Sequence, residues 1–222
     1  FISGTVTADG GGVVAGAGVS FFDGAGQYLG GSGANASGAY VSPALASGSY
    51  YVQTSNSGAF LNEAYDNVAC FNCAGTTGTL VPVTSGSTTA GISFELSPGG
   101  RIAGRVTNAA GGAGIPGVWV DIRDSAGNNL GSSTRTAADG SYTVPFGLPT
   151  GTYYASTNND GAFINEAYDN LPMGVATSNW TPIPVTAPAT TANVDFQLAE
   201  GGRIGGQVTD AVTHAPLQGV GL

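Results

Sequence analysis

The sequence predicts an all-β fold built as tandem antiparallel sandwiches, and three observations carry that expectation. Asn62 to Asn67 reads N-E-A-Y-D-N and Asn165 to Asn170 reads the same, each preceded by G-A-F at Gly58 to Phe60 and Gly161 to Phe163. Glycine supplies 38 of 222 residues while only 9% are charged. The apolar residues come as short alternating runs between Gly, Ser, Asn and Asp clusters, the pattern of short strands joined by tight turns. Self-similarity at a fixed period outranks single-residue clues, because it shows that one unit is used repeatedly. Almost no helix is expected.

The opening strand comes first. Ile2-Ser3-Gly4-Thr5-Val6, Ile102-Ala103-Gly104-Arg105-Val106 and Ile204-Gly205-Gly206-Gln207-Val208 are three versions of it, each followed by a turn and by Gly-Val at 18, 117 and 219. Their spacing gives a repeat of about one hundred residues, the usual size of an independently folding unit. It divides the chain into residues 1–98, residues 99–200, and residues 201–222 as the opening strands of an incomplete third repeat. Asp23-Gly24, Ala126-Gly127-Asn128-Asn129 and Asp139-Gly140 then supply hairpin turns, since these residues tolerate positive φ. Tyr50 and Val52 alternate with Tyr51 and Gln53, and Tyr153 and Ala155 with Tyr154 and Ser156. Each such strand offers one face to a core and one to water. Tyr50, Val52, Tyr153 and Phe196 are the expected core residues. The closing strands, Phe94-Glu95-Leu96 and Phe196-Gln197-Leu198, meet the next opening strand through only Ser97-Pro98-Gly99-Gly100-Arg101 or Ala199-Glu200-Gly201-Gly202-Arg203. Joints so short restrict the freedom between units.

Charge and composition exclude several functions. The formal charge of −9 repels phosphate backbones, so no nucleic-acid partner is expected. No apolar run approaches the length that crosses a bilayer, which argues against membrane insertion in this segment. Phe1 opens in mid-strand without the regions of a signal peptide, which implies a processed or excised piece. Cys70 and Cys73 are the only cysteines, set in one loop as C-F-N-C, and lack the second ligand pair that a structural zinc needs. A local disulfide is the favoured reading and points to an oxidising, extracellular or cell-surface setting; two free thiols in an intracellular loop are the alternative. The second copy has Pro172 and Met173 in that region.

The run Asp139-Gly140-Ser141-Tyr142-Thr143-Val144, followed by Leu148-Pro149-Thr150-Gly151-Thr152-Tyr153, resembles the D-G-x-Y-x-V, L-P-x-G-x-Y signature of carboxypeptidase regulatory-like domains. The first copy matches less closely, with Ser37 in place of Asp139 and Ala46 in place of Pro149. That superfamily of seven-stranded, Ig-like or prealbumin-like sandwiches includes the Cna-B-type repeats of bacterial surface proteins. The resemblance implies tandem seven-stranded antiparallel β-sandwich domains and leaves function open. Some Cna-B-type domains carry a Lys–Asn isopeptide bond; this chain has no lysine and forms none.

Catalytic constellations are lacking. The one histidine, His214, falls in the incomplete third copy, so neither complete unit assembles a Ser-His-Asp or Cys-His arrangement. The N-E-A-Y-D-N motif is the best candidate for more than packing. Asp160, Glu166 and Asp169, with Glu63 and Asp66 in the first copy, are hard oxygen donors of the type that calcium takes. The structural reading sets them as caps on a short turn of helix, with Tyr65 and Tyr168 plugging the cores. Trp119 and Trp180 have no aromatic counterpart in the first copy and raise the question of glycan stacking, against a core or interface role.

Repetition, short joints and missing catalytic groups point to a structural repeat module, not an enzyme, in an extracellular stalk, adhesin shaft or self-assembling filament. It requires no cofactor, with calcium as the one candidate. Its expected partners are other copies of itself, end to end, or further repeats of the same chain. Ile204 and Val208, on opening strands with no partner of their own, are the contact candidates. The competing reading is a carbohydrate-binding or accessory module of a secreted enzyme, with glycans as partners.

Overall fold

The computed structural model describes residues 1–56, 58–203 and 205–220, and of residues 131–133 the backbone alone. The first sandwich runs through β1 (Ser3–Ala8), β2 (Gly18–Phe22), β3 (Tyr28–Gly33), β4 (Ala39–Val41), β5 (Gly48–Thr54), β6 (Glu63–Ala64), β7 (Val68–Ala69), β8 (Val81–Val83) and β9 (Phe94–Leu96). The second runs through β10 (Arg101–Asn108), β11 (Trp119–Arg123), β12 (Asn129–Arg135), β13 (Ser141–Thr143), β14 (Gly151–Asn158), β15 (Glu166–Ala167), β16 (Leu171–Pro172), β17 (Ile183–Val185), β18 (Thr190–Thr191) and β19 (Phe196–Leu198). A 3-10 turn at Thr177–Asn179 is the only helical element among the described residues. None of their helices is long and apolar enough to cross a membrane.

Each sandwich has two layers. In the first, β1 lies between β4 and β9, while β2 is flanked by β3 and β5, and the far edge of β5 takes β8 and then the β6–β7 hairpin. The second has the same order, with β10 between β13 and β19, and β12-β11-β14 continued by β17 and by β15–β16. Registers correspond: Val19 faces Thr54 as Val120 faces Thr157, and Gly4 faces Tyr40 as Gly104 faces Tyr142. One pairing departs from the antiparallel expectation. The opening strand runs parallel to the closing strand in both sandwiches, because the chain returns to it through a long crossover and not through a hairpin.

Alternation along the strands places the cores. Val6, Phe21, Val52 and Leu96 are fully buried in the first, Val106, Ile122, Leu148 and Leu198 in the second. Tyr50, Val52, Tyr153 and Phe196 all face these cores. Gly4 and Gly104, the glycines of the opening strands, pass so close to the Ile92 and Val194 carbonyls that no side chain fits there. Tyr50 and Tyr153 return their phenols to the carbonyls four residues back, Ala46 and Pro149, each at 2.9 Å, which closes the G-x-Y corner of the signature. Ser37 can replace Asp139 because Asn35 does the same work: its Oδ1 accepts from the Ser37 and Ala39 N–H groups at 2.9 and 3.0 Å.

The outer face is drier than alternation predicts. Gln53 and Ser156 are buried as well, and in the first sandwich the chain after the hairpin folds back over β5. Gln53 Nε2 donates to the Ala74 and Thr77 carbonyls at 2.7 and 3.3 Å. The turn glycines also shift one correspondence. Gly16, Gly117 and Gly219 share φ values of 77°, 75° and 72°, so the partner of Gly117 is Gly16, and Gly18 holds the place of Trp119.

Residues 205–220 do not form the expected opening strands. They hold one bridge pair, Thr209 with Pro216, around a turn in which Asp210 Oδ1 accepts from the Val212 and Thr213 N–H groups at 2.9 and 2.7 Å. β1 and β10 are strands because partners lie on both edges, and residues 205–220 have no strand partner among the described residues. Val208 is half-buried outside any strand, and Val212, Leu217 and Val220 are exposed. Ile204 and Leu222 lie outside the described residues.

Candidate functional site

The N-E-A-Y-D-N motif folds as a hairpin, β6–β7 and β15–β16, and not as a turn of helix. Asp66 and Asn67, at φ of 77° and 56°, turn it in the first copy, and Asp169 and Asn170, at 72° and 56°, in the second. Asp and Asn tolerate that left-handed backbone. Asn62 Oδ1 accepts from the Asn56 N–H at 2.8 Å and its side-chain amide at 2.6 Å, and Asn165 does so from Asn159 at 3.0 and 2.6 Å. These bonds pin the loop that precedes each hairpin. The Glu63 and Glu166 N–H groups donate to the Thr54 and Thr157 hydroxyls at 2.8 and 3.0 Å. Ala64 and Ala167 are fully buried. Tyr65 and Tyr168 stand edge-on to Phe94 and Phe196, with ring centroids 6.4 and 6.1 Å apart. Asp66 and Asp169 each accept from a threonine hydroxyl, Thr79 and Thr181, at 3.2 Å.

The glutamates reach the closing strands. Glu166 Oε1 accepts from the Gln197 N–H at 3.0 Å. Glu63 stands beside the Glu95 N–H, with Oε2 buried and unpartnered among the described residues. Burial raises both carboxyl pKa values above the ordinary range; at Glu63 the Glu95 carboxylate adds to the rise and the Glu95 N–H opposes it. A raised folded-state pKa favours the protonated form on folding. The stability that Glu63 contributes is therefore complete below the unfolded-state pKa and is lost as pH rises through the folded-state value. Glu95→Gln, which gives the first sandwich the residue of the second, is expected to raise the Tm of the first sandwich at pH 7 and leave it unchanged at pH about 3, where the Glu63 carboxyl, its pKa raised by burial, carries no charge to repel. An equal gain at both pH values, or none at pH 7, contradicts the coupling.

Asp160 is exposed in the preceding loop. With the other four acids of the motif engaged by backbone or threonine groups, no group of three or more His, Cys, Asp or Glu among the described residues is placed to hold a metal ion. A chelator is accordingly expected to leave the Tm of the chain unchanged.

Cys70 and Cys73 are joined by a disulfide, with Cα atoms 5.1 Å apart. The loop they close lies over β5, and Cys70 Sγ is 3.8 Å from Gln53 Oε1. Phe71, between the two cysteines, packs against the core of the second sandwich, a direction that cysteine spacing does not reveal. It belongs to a junction stitched by backbone. The Gly147 N–H donates to the Gly58 carbonyl at 3.0 Å and the Gly99 N–H to the Ala59 carbonyl at 2.7 Å, while Gly100 and Leu148 exchange bonds at 2.8 and 2.9 Å. A Cβ on Gly147 would lie 2.7 Å from the Ala59 oxygen and 2.9 Å from the Phe60 oxygen, so only glycine fits. The second sandwich makes this approach with one more residue than the first has, V-P-F-G-L at 144–148 against S-P-A-L at 42–45. Beside it lies a cavity of about 270 Å³ walled by Phe60, Phe71 and Asn72 from one sandwich and Leu130, Pro145 and Phe146 from the other.

Trp119 stands on the outer face of β11, 39% exposed, while Val118, Val120 and Ile122 take the core. Arg135, its partner on β12, holds its guanidinium carbon 4.8 Å from the ring centroid. Trp180 is buried, with the Arg123 guanidinium 5.7 Å from its ring. Trp119 and Arg123 are the two ends of β11, about 13 Å apart at strand rise. The indoles thus serve different arginines at opposite ends of one strand and form no shared flat face of the kind on which a sugar stacks.

No protein-family model matches the sequence, and no curated protein matches it. The structure is similar to that of a streptococcal ancillary pilin, with a TM-score of 0.42 and 11% identity, covering 91% of this chain and 62% of that one. It is similar to the shaft pilin SpaA from Lactobacillus rhamnosus GG, with a TM-score of 0.40 and 10% identity, covering 92% of this chain and 98% of that one. It is also similar to the Bacillus anthracis TIE protein, with a TM-score of 0.35 and 11% identity, covering 89% of this chain but spanning 33% of the other. Scores and identities this low assign the chain no role.

Proposed function

We propose that this chain is a load-bearing structural module of an extracellular stalk, built from sandwiches set in line, here residues 1–98 and 99–200. The observation that carries the reading is the junction. Two backbone hydrogen bonds between the sandwiches, Gly147 to Gly58 and Gly99 to Ala59, a glycine packed against backbone and Phe71 pressed onto the neighbouring core replace the free linker that independent binding domains have. The disulfide supports an oxidising setting, consistent with a cell-surface or secreted protein. The resemblance to carboxypeptidase regulatory-like and Cna-B-type repeats agrees with such a setting, and the partners in this reading are further sandwiches of the same kind. The glycan reading gains no support from Trp119 and Trp180, which are separated and individually occupied.

Single-molecule pulling tests the reading. A stalk module is expected to yield two unfolding events of similar extension, each on the order of 300 Å for about one hundred residues released. Extension at negligible force, or one event for the whole chain, contradicts it.

A further inference from the structure

The far end of the second sandwich repeats the surface that the first uses at the junction. The Ile164 N–H donates to the Ala199 carbonyl at 2.9 Å and the Gly201 N–H to the Ala162 carbonyl at 3.0 Å, as Leu61 does to Ser97 at 2.9 Å and Gly99 to Ala59 at 2.7 Å. Phe163 pairs with Glu200 as Phe60 pairs with Pro98. The difference is the cover. Ala59 and Leu61 are half-buried, whereas Ala162 is exposed and Ile164 is 56% exposed. Met173, in the region that corresponds to the disulfide loop, is 42% exposed. The Gly161 carbonyl, counterpart of the Gly58 oxygen that takes the Gly147 N–H, accepts no hydrogen bond among the described residues. Nothing described approaches the place of a Cβ on Gly161 or Gly202.

We infer that Asn159–Ile164, with Met173, is a socket for the Pro-Phe-Gly-Leu type of loop on a further sandwich, the one whose opening sequence stands at residues 203–220. The inference deepens the stalk reading and rests on it. The occupant follows from the first junction: Leu148 pairs with Gly100 of its own sandwich while Gly147, one residue earlier, bonds to Gly58 of the preceding one. A loop that fills the second socket must likewise pair with Gly202 and reach Gly161 together. Only a sandwich opened by the residues after Gly202 carries its loop to both. Residues 205–220 already keep the register, since Thr209 pairs with Pro216 as Thr107 pairs with Gly114, and Gly219 has the φ of Gly117.

Hydrogen exchange tests the socket in two steps. In the 222-residue chain, the Leu61 amide is expected to exchange at least about tenfold more slowly than Ile164, since cover is the difference between them. Gly147→Val is expected to bring Leu61 to the Ile164 rate. Equal rates in the unaltered chain overturn the proposal. The second step continues the chain after Val220 with a copy of residues 119–200, which completes a third sandwich. Ile164 is then expected to slow to the Leu61 rate, and valine at the added copy of Gly147 to abolish the slowing while the core amides of the added sandwich stay protected. A folded third sandwich that leaves Ile164 fast overturns the socket. Electron micrographs of the same chain judge the stalk separately: lobes in line beside a fast Ile164 sink the socket alone, and lobes folded back beside a slow one sink the stalk alone.

Discussion

Phe196→Ala is expected to lower the stability of the second sandwich by about 3–5 kcal/mol, the usual cost of removing a buried aromatic ring. Phe196 is 1% exposed, and its ring meets Tyr142 and Tyr168 at centroid distances of 6.3 and 6.1 Å. It therefore joins the closing strand, the signature tyrosine and the N-E-A-Y-D-N tyrosine in one contact. Both tryptophans lie in the second sandwich, so their fluorescence during urea unfolding reports that sandwich alone. Its midpoint should fall, and by more than the midpoint followed by circular dichroism, which reports both sandwiches. A loss under about 1 kcal/mol means that the pocket collapses around the smaller side chain and that Phe196 does not organise the core.

Gly147→Val carries the second large effect, and at the junction instead of a core. The added side chain meets the Ala59 and Phe60 backbones, which cannot shift as the end of a flexible side chain would. Overpacking of this kind costs about 1–3 kcal/mol. Here the strain is relieved by undocking, because Leu148 and Val144 remain held inside their own sandwich. The expected result is two intact sandwiches, with unchanged far-ultraviolet circular dichroism, whose melting transitions separate. A single transition identical to that of the unaltered chain shows that the junction couples nothing.

The layers were legible because alternation and turn chemistry act locally. Tyr50, Val52, Tyr153 and Phe196 follow directly from a period of two, and the shared strand order follows from repetition. What tertiary packing decides was less legible. Gln53 reads as a wet residue until the chain from Cys70 to Thr77 is seen folded over it. The acids of N-E-A-Y-D-N read first as helix caps and second as calcium ligands, because Thr79, Thr181 and Gln197, their actual partners, lie far along the chain. Trp119 was ambiguous within its own strand, and the pairing with Arg135 settles its face. Residues 205–208 take no strand for a related reason: a strand is a property of pairing, and sequence likeness to β1 supplies no partner. The junction left one trace, the extra residue at Phe146-Gly147, which becomes visible only when the two copies are aligned across their proline. Nothing in the spacing of Cys70 and Cys73 indicates that Phe71 points at the neighbouring sandwich.

The account stands on the two sandwiches being held as one body, and nuclear magnetic relaxation of backbone amides measures that most directly. Amides of β5 in the first sandwich and β11 in the second are predicted to report a single rotational correlation time, that of the whole 21.8 kDa chain, and Gly147→Val to split it into two shorter ones. Two independent correlation times in the unaltered chain, each that of a body about half the size, contradict the account.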